Sequence, residues 1–167
     1  GIHSRKRQPI LFYHSKNERL IMKEVHILLV EDNEGDIVLT LEAFEESKIL
    51  NKFSVVRNGK EAIDFLFRRP PFQDAKEPDI VLLDINLPLK SGIEVLQEVK
   101  SDDRVKHIPV IMLTTSSSEK DISLSYKHHA NCYITKPVEV SKFLEAVNAI
   151  EHFSLQIVSL DAKYKRD

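Results

Sequence analysis

Five short apolar runs punctuate this chain, and each stops at a polar or charged residue. His26-Ile27-Leu28-Leu29-Val30 ends in Glu31-Asp32, Phe53 to Val56 in Arg57, Ile80-Val81-Leu82-Leu83 in Asp84, Pro109 to Leu113 in Thr114, and Asn131 to Thr135 in Lys136-Pro137. Runs of this length without alternation predict strands buried on both faces, as in a parallel sheet. The stretch from Asp79 to Pro88 is the sharpest: four apolar residues deliver the Asp84 carboxylate to a strand end, and a loop signal follows.

Between the runs the spacing turns helical. Asn33 to Ser47 place Ile37, Leu41 and Phe44 on one stripe with Val38 beside it. Asn58-Gly59-Lys60-Glu61 fits a capping box that Ala62, Ile63 and Leu66 continue, and Pro70-Pro71 stop that helix. A Lys90-Ser91-Gly92 turn opens a helix with Ile93, Leu96 and Val99 inward. Ser118 and Asp121 resemble an N-cap pair, but Ile122, Leu124 and Tyr126 make no single stripe, which predicts the least firmly anchored helix. Val140, Phe143, Leu144, Val147 and Ile150 form the most regular stripe. Strands alternating with helices predict a doubly wound α/β fold, five parallel strands with five helices covering both faces.

That pattern occupies residues 22–152. Residues 1–21 show no clean period and carry Arg5-Lys6-Arg7, so they are expected to be an added or disordered extension ahead of Met22. Residues 153–167 form a tail, apolar from Phe153 to Leu160 and then charged. Such a tail either packs back on its own domain or is buried in a homodimer beside the last helix.

Composition narrows the function. With 167 residues and 42% hydrophobic content, the chain can bury a real core. Net charge is −2, but residues 1–21 hold five Lys/Arg against one Glu, so the remainder carries −6. An acidic body argues against nucleic acid as the main partner. The single cysteine, Cys132, excludes an intrachain disulfide and suits a reducing cytoplasm. No apolar run reaches the roughly 18 residues that a membrane span needs.

Parallel strands put the ends bearing Glu31-Asp32, Asp84, Thr114 and Lys136 on one sheet edge, where α/β folds bind ligands. Taken singly, Glu31-Asp32 could cap a helix, Thr114 could begin a loop and Lys136 could be a solvated surface group. Together they form a constellation. Three crowded carboxylates stay ionised most cheaply around a divalent cation, and oxygen-only donors suit a hard ion such as Mg²⁺. A lysine and a hydroxyl nearby complete what a phosphoryl group requires, with Asp84 as the nucleophile.

The residues Val30-Glu31-Asp32-Asn33, Leu83-Asp84-Ile85-Asn86-Leu87-Pro88 with Gly92, Leu113-Thr114-Thr115 and Tyr133-Ile134-Thr135-Lys136-Pro137 resemble the receiver domain of two-component response regulators. The resemblance implies a flavodoxin-like strand order 2-1-3-4-5 and phosphorylation of Asp84 by a sensor histidine kinase. It implies Mg²⁺ held directly by Asp32, Asp84 and the Asn86 backbone carbonyl, with Glu31 acting through water. Lys136 would pair with the phosphoryl group ahead of a cis Pro137. Thr114 and Tyr133 would be a switch pair acting on the face formed by the fourth helix, fifth strand and fifth helix. Asn131 to Lys136, the insert around Pro70-Pro71 and the apolar tail further resemble single-domain regulators that partner phytochrome-type kinases. With 17 residues after Ile150, the chain is expected to act by docking on a target or a further phosphotransfer protein, rather than through an output module.

Two rivals share parts of this pattern. A haloacid-dehalogenase-type phosphatase also uses a strand-end Asp, Thr/Ser, Lys and Mg²⁺, but carries an acid two residues after the nucleophile, where this chain has Asn86. Without that general acid/base, slow self-dephosphorylation rather than enzymatic turnover is expected. A flavodoxin-like flavin binder shares the topology but has no use for four polar strand ends.

Overall fold

A computed structural model describes the backbone of Leu11–His14 and Glu18–Ile21, residues 24–115, and residues 119–150, with the side chains of residues 24–115 and 122–150. The expectations placed on Arg5-Lys6-Arg7, on Ser118 as a cap, and on the apolar tail with its homodimer reading lie outside the described residues.

In chain order the elements are strands β1 (Leu11–His14), β2 (Glu18–Ile21) and β3 (Val25–Val30), helix α1 (Glu34–Glu45), β4 (Asn51–Val56), α2 (Gly59–Leu66), β5 (Ile80–Asp84), α3 (Gly92–Lys100), β6 (Val110–Thr114), α4 (Glu119–Lys127), β7 (Cys132–Thr135) and α5 (Val140–Ala149). Strands β3 to β7 form one parallel sheet in the order β4-β3-β5-β6-β7. Counted from β3, this is the 2-1-3-4-5 order the resemblance implied, with β5 in the middle.

The apolar runs are buried because each strand feeds both faces. Leu28, Val30, Val81, Leu83, Val110 and Met112 point to one core with α2 and α3. Ile27, Leu29, Ile80, Leu82, Ile111 and Leu113 point to the other, with α1 and α5. There Phe44 and Phe143 meet edge-on at 4.8 Å, both fully buried, and such rings are worth roughly 1.5–3 kcal/mol each in burial.

The helices sit close to expectation, with three differences. On α1, Thr40 rather than Leu41 completes the fully buried stripe with Ile37 and Phe44; Leu41 is half-buried and Val38 faces solvent. On α3, Val95 is fully buried while Ile93 is only half so. At α2, Asn58 accepts the Glu61 N–H at 2.8 Å, yet Glu61 reaches past the cap to the Arg57 N–H at 3.1 Å. The reciprocal capping box instead opens α3, between Ser91 and Glu94. Helix α4 buries Ser125 fully and holds Ile122 and Leu124 only halfway, as its irregular stripe predicted.

Residues 1–21 were expected to be an added or disordered extension, and eight of them form two strands. β1 and β2 pair antiparallel, Leu11 opposite Ile21 and His14 opposite Glu18. The signal was present in Leu11-Phe12-Tyr13 and Leu20-Ile21 flanking the turn-prone Ser15-Lys16-Asn17. Four-residue strands are too short to display a period.

Gly92 fixes how closely α3 approaches the end of β5. Its N–H donates to the Ile85 carbonyl at 2.9 Å, and a Cβ there would lie 2.1 Å from the Asp84 carbonyl oxygen. Backbone cannot yield as a flexible side chain would. Gly92→Ala is therefore expected to cost about 1–3 kcal/mol, the range for overpacking. Urea denaturation measures it, and an unchanged midpoint would mean that α3 shifts without cost.

Candidate functional site

Register assembles the site as a staircase across the sheet edge. Val30 lies opposite Leu83, so Glu31 follows alongside Asp84. Asp84 lies opposite Leu113, which sets Thr114 one step beyond. Thr114 lies opposite Thr135, and the Lys136 N–H donates to the Thr114 carbonyl at 2.8 Å. Residues more than a hundred positions apart thus meet because parallel strands end together.

At the centre is the Lys136 ammonium. Its Nζ lies 2.6 Å from Glu31 Oε2, 2.8 Å from Asp84 Oδ2 and 3.2 Å from Asp36 Oδ2. Only 9% of the lysine side chain is exposed, and Glu31 and Asp84 are buried. The remaining oxygens are held by backbone: Glu31 Oε1 accepts the Asn33 N–H at 3.1 Å, and Asp84 Oδ1 accepts the Asn86 N–H at 3.1 Å. Carboxylate oxygens of Glu31, Asp32 and Asp84 all lie within 4.8 Å of one another, with Asp32 on the solvent side.

The electrostatics follow from this crowding. The Glu31 carboxyl stands raised to about 7: burial raises it most, the Lys136 ammonium pulls it back, and the neighbouring Asp84 adds to the rise. Burial works against the Lys136 ammonium, yet Asp84 and Glu31 outweigh it and hold its pKa above the usual lysine range. Three carboxylates with oxygen donors only, two dry and one open to water, match what a small hard divalent cation needs. The donor set fits such an ion.

The other expected residues lie around this centre. Thr114 is buried at the end of β6. Asn86 is exposed in the loop after β5, and the Lys136–Pro137 bond is cis. Tyr133 faces outward: the residue is 37% exposed, and its ring meets Tyr126 of α4 edge-on at 5.9 Å. Asp36 was missed. An acid in the first turn of a helix reads as a partner of the helix dipole, and only the fold shows that it faces Lys136.

The profile of the response regulator receiver domain matches residues 27–148. The chain belongs to the receiver family. Among its relatives is the response regulator Rcp1 of a Synechocystis strain, 41% identical over 136 residues, covering 81% of this chain and 92% of that protein. A solved Mn²⁺-bound form of Rcp1 superposes with a TM-score of 0.65 at 40% identity, over 77% of this chain and 93% of that one. The bacteriophytochrome response regulator AtBRR gives a TM-score of 0.73 at 42% identity, covering 79% of this chain and 96% of its own. A phosphorylated cyanobacterial phytochrome response regulator, RcpA, gives 0.67 at 46% identity, covering 80% and 95%.

This receiver therefore belongs to two-component signalling, with phytochrome-associated homologues. Receiver domains bind Mg²⁺ or Mn²⁺ at an acidic site and take histidine kinases as partners. Membership decides against the phosphatase and flavin-binding rivals. Among the described residues, no helix is long and apolar enough to cross a membrane.

The raised Glu31 pKa has a consequence for the metal-free protein. A carboxyl with a folded pKa near 7 and an ordinary value of 4.5 contributes stability that is complete below about 4.5 and lost as pH rises through about 7. In chelator, Glu31→Gln is expected to remove much of the stability loss between pH 5 and 8. Thermal denaturation across that range reads it; an identical slope in both proteins would place the penalty elsewhere.

Proposed function

We propose that Asp84 accepts a phosphoryl group from a phosphohistidine of a sensor histidine kinase of the phytochrome type, in the cytoplasm. The observation that carries this reading is the buried Asp84–Lys136 pair, 2.8 Å apart, beside Glu31 and Asp32 at the C-terminal edge of the central strand. The names of the relatives support the choice of kinase.

An Asp84 carboxylate oxygen attacks phosphorus, a P–O bond forms, and the P–N bond to the donor imidazole breaks with its electron pair left on nitrogen. The product is an acyl phosphate. Asp32, Asp84 and the Asn86 backbone carbonyl would hold Mg²⁺, with Glu31 acting through water. When bound, the ion offsets charge on the carboxylates and the phosphoryl oxygens. Lys136 hands its Asp84 hydrogen bond over to a phosphoryl oxygen. Asn86, lacking an acidic group, gives no general base beside the acyl phosphate, so self-hydrolysis is slow.

The Thr114 hydroxyl turns to a phosphoryl oxygen, and the Tyr133 ring leaves Tyr126 to fill the vacated space. That rearrangement biases the α4–β7–α5 face between two states that a target or a further phosphotransfer protein tells apart.

With acetyl phosphate and Mg²⁺, the protein should gain one phosphoryl mass and Asp84→Asn none, by intact-mass spectrometry; labelling of the variant would overturn the assignment. Asp32→Ala should weaken Mg²⁺ binding at least tenfold, since a carboxylate ligand is lost and ligand-sphere changes cost about 10–100-fold. The fold should remain, because the change relieves repulsion. Unaltered affinity by calorimetry would mean that the ion is held without Asp32.

A further inference from the structure

We propose that Asp36 is a positioning residue that holds the third N–H of the Lys136 ammonium away from the phosphoryl position and so restrains phosphorylation of Asp84. The inference rests on the phosphoacceptor reading and adds a control built into helix α1.

Three observations lead to it. An ammonium has three donors, and here each has its own carboxylate: Glu31 at 2.6 Å, Asp84 at 2.8 Å and Asp36 at 3.2 Å. An incoming group gains a Lys136 N–H only when one of these carboxylates gives it up. Second, on the α1 side Lys136 has little water to turn to as a replacement. Its side chain is 9% exposed, and the gap lined by Asp36, Leu39, Thr40 and Pro137 beside it shrinks to about 10 Å³, room for one water at most. Third, the backbone that carries the Asp36 carboxylate is fixed. Its N–H donates to Asn33 Oδ1 at 2.9 Å, and its carbonyl accepts the Thr40 hydroxyl at 2.8 Å, so the carboxylate is carried on the first turn of α1.

Phosphorylation replaces a carboxylate by a group of greater negative charge. The Lys136 bond to Asp84 can pass to a phosphoryl oxygen without disturbing the other two. A second bond to the phosphoryl group requires Lys136 to release Asp36, because Glu31 is the closer and drier partner. Asp36 also adds a third carboxylate, after Glu31 and Asp32, near the phosphoryl oxygens. Both effects act in one direction: the Asp36 carboxylate favours the unphosphorylated state. A pair open to solvent on one side, with Asp36 about a third exposed, sets the scale at the upper end for such ion pairs, about fivefold in rate or equilibrium.

The test uses the full chain with acetyl phosphate and, separately, beryllofluoride as a phosphoryl mimic, both with Mg²⁺. Asp36→Asn keeps the shape and removes the charge; it should be labelled about fivefold faster and bind beryllofluoride about fivefold tighter by calorimetry. Asp36→Glu restores a carboxylate and should return both toward wild type. A merely structural role for Asp36 would change the melting temperature without tightening the mimic. Asp36→Ser, which is well tolerated in a first helical turn, serves if the Asn variant does not fold. Folded Asn or Ser variants labelled at or below the wild-type rate overturn the proposal, as does a Glu variant that behaves like Asn. Asp84→Asn separates the two readings. If it stays unlabelled while Asp36→Asn matches wild type, the restraint is wrong and the phosphoacceptor stands. If it is labelled, the phosphoacceptor itself is wrong.

Discussion

The site depends on one constraint: a buried ammonium must be surrounded by carboxylates, and those carboxylates must come from separate elements. Removing a lysine head from water costs several kcal/mol unless it is paired and hydrogen-bonded. Lys136 meets that requirement through Glu31 after β3, Asp84 at the end of β5 and Asp36 on α1. Its own backbone is tied to β6 through the Thr114 carbonyl. One residue therefore joins four elements, and the acidic residues that would otherwise repel one another become a requirement of the fold. The excess of negative over positive charge in that cluster is what a divalent cation would offset.

Rigid and yielding parts are divided accordingly. Strands β3, β5 and β6 are buried along both faces, so their ends do not drift, and the glycine at the start of α3 brings backbone hard against Asp84. α4 is different: its ring contact between Tyr126 and Tyr133 lies at the surface, and its described side chains are mostly half-buried or exposed. A charge change at the rigid edge can then be relieved where least packing is lost, which is the α4 side.

Much of this was legible in the sequence because two periodicities are strong here. Unbroken apolar runs such as Ile80 to Leu83 read as central parallel strands, and the stripe from Phe143 to Ile150 reads as a helix. Strand ends follow directly, so Glu31, Asp84, Thr114 and Lys136 could be placed together before any coordinates. What escaped had weaker local signatures. Leu11–His14 and Glu18–Ile21 are too short for a period. The hydroxyl of Thr40, turned to the Asp36 carbonyl, lets a polar residue take a core position that Leu41 was expected to fill. Asp36 has a sufficient local explanation at a helix start, which conceals its tertiary one.

That last case shows how such a cluster becomes adjustable. The strand-end residues are bound to their positions by register: moving Asp84 by one residue would send it to the opposite face. A carboxylate on the first turn of α1 has no such constraint. It reaches Lys136 from the side, at 3.2 Å against 2.6 Å for Glu31, and about a third exposed. Altering it changes the charge that Lys136 feels without altering sheet, register or ligand set. Strands supply the fixed chemistry, and the adjoining helix turn supplies a charge that can vary independently of the strands; this is a physical route by which receivers sharing one sheet edge can differ in how readily they hold a phosphoryl group.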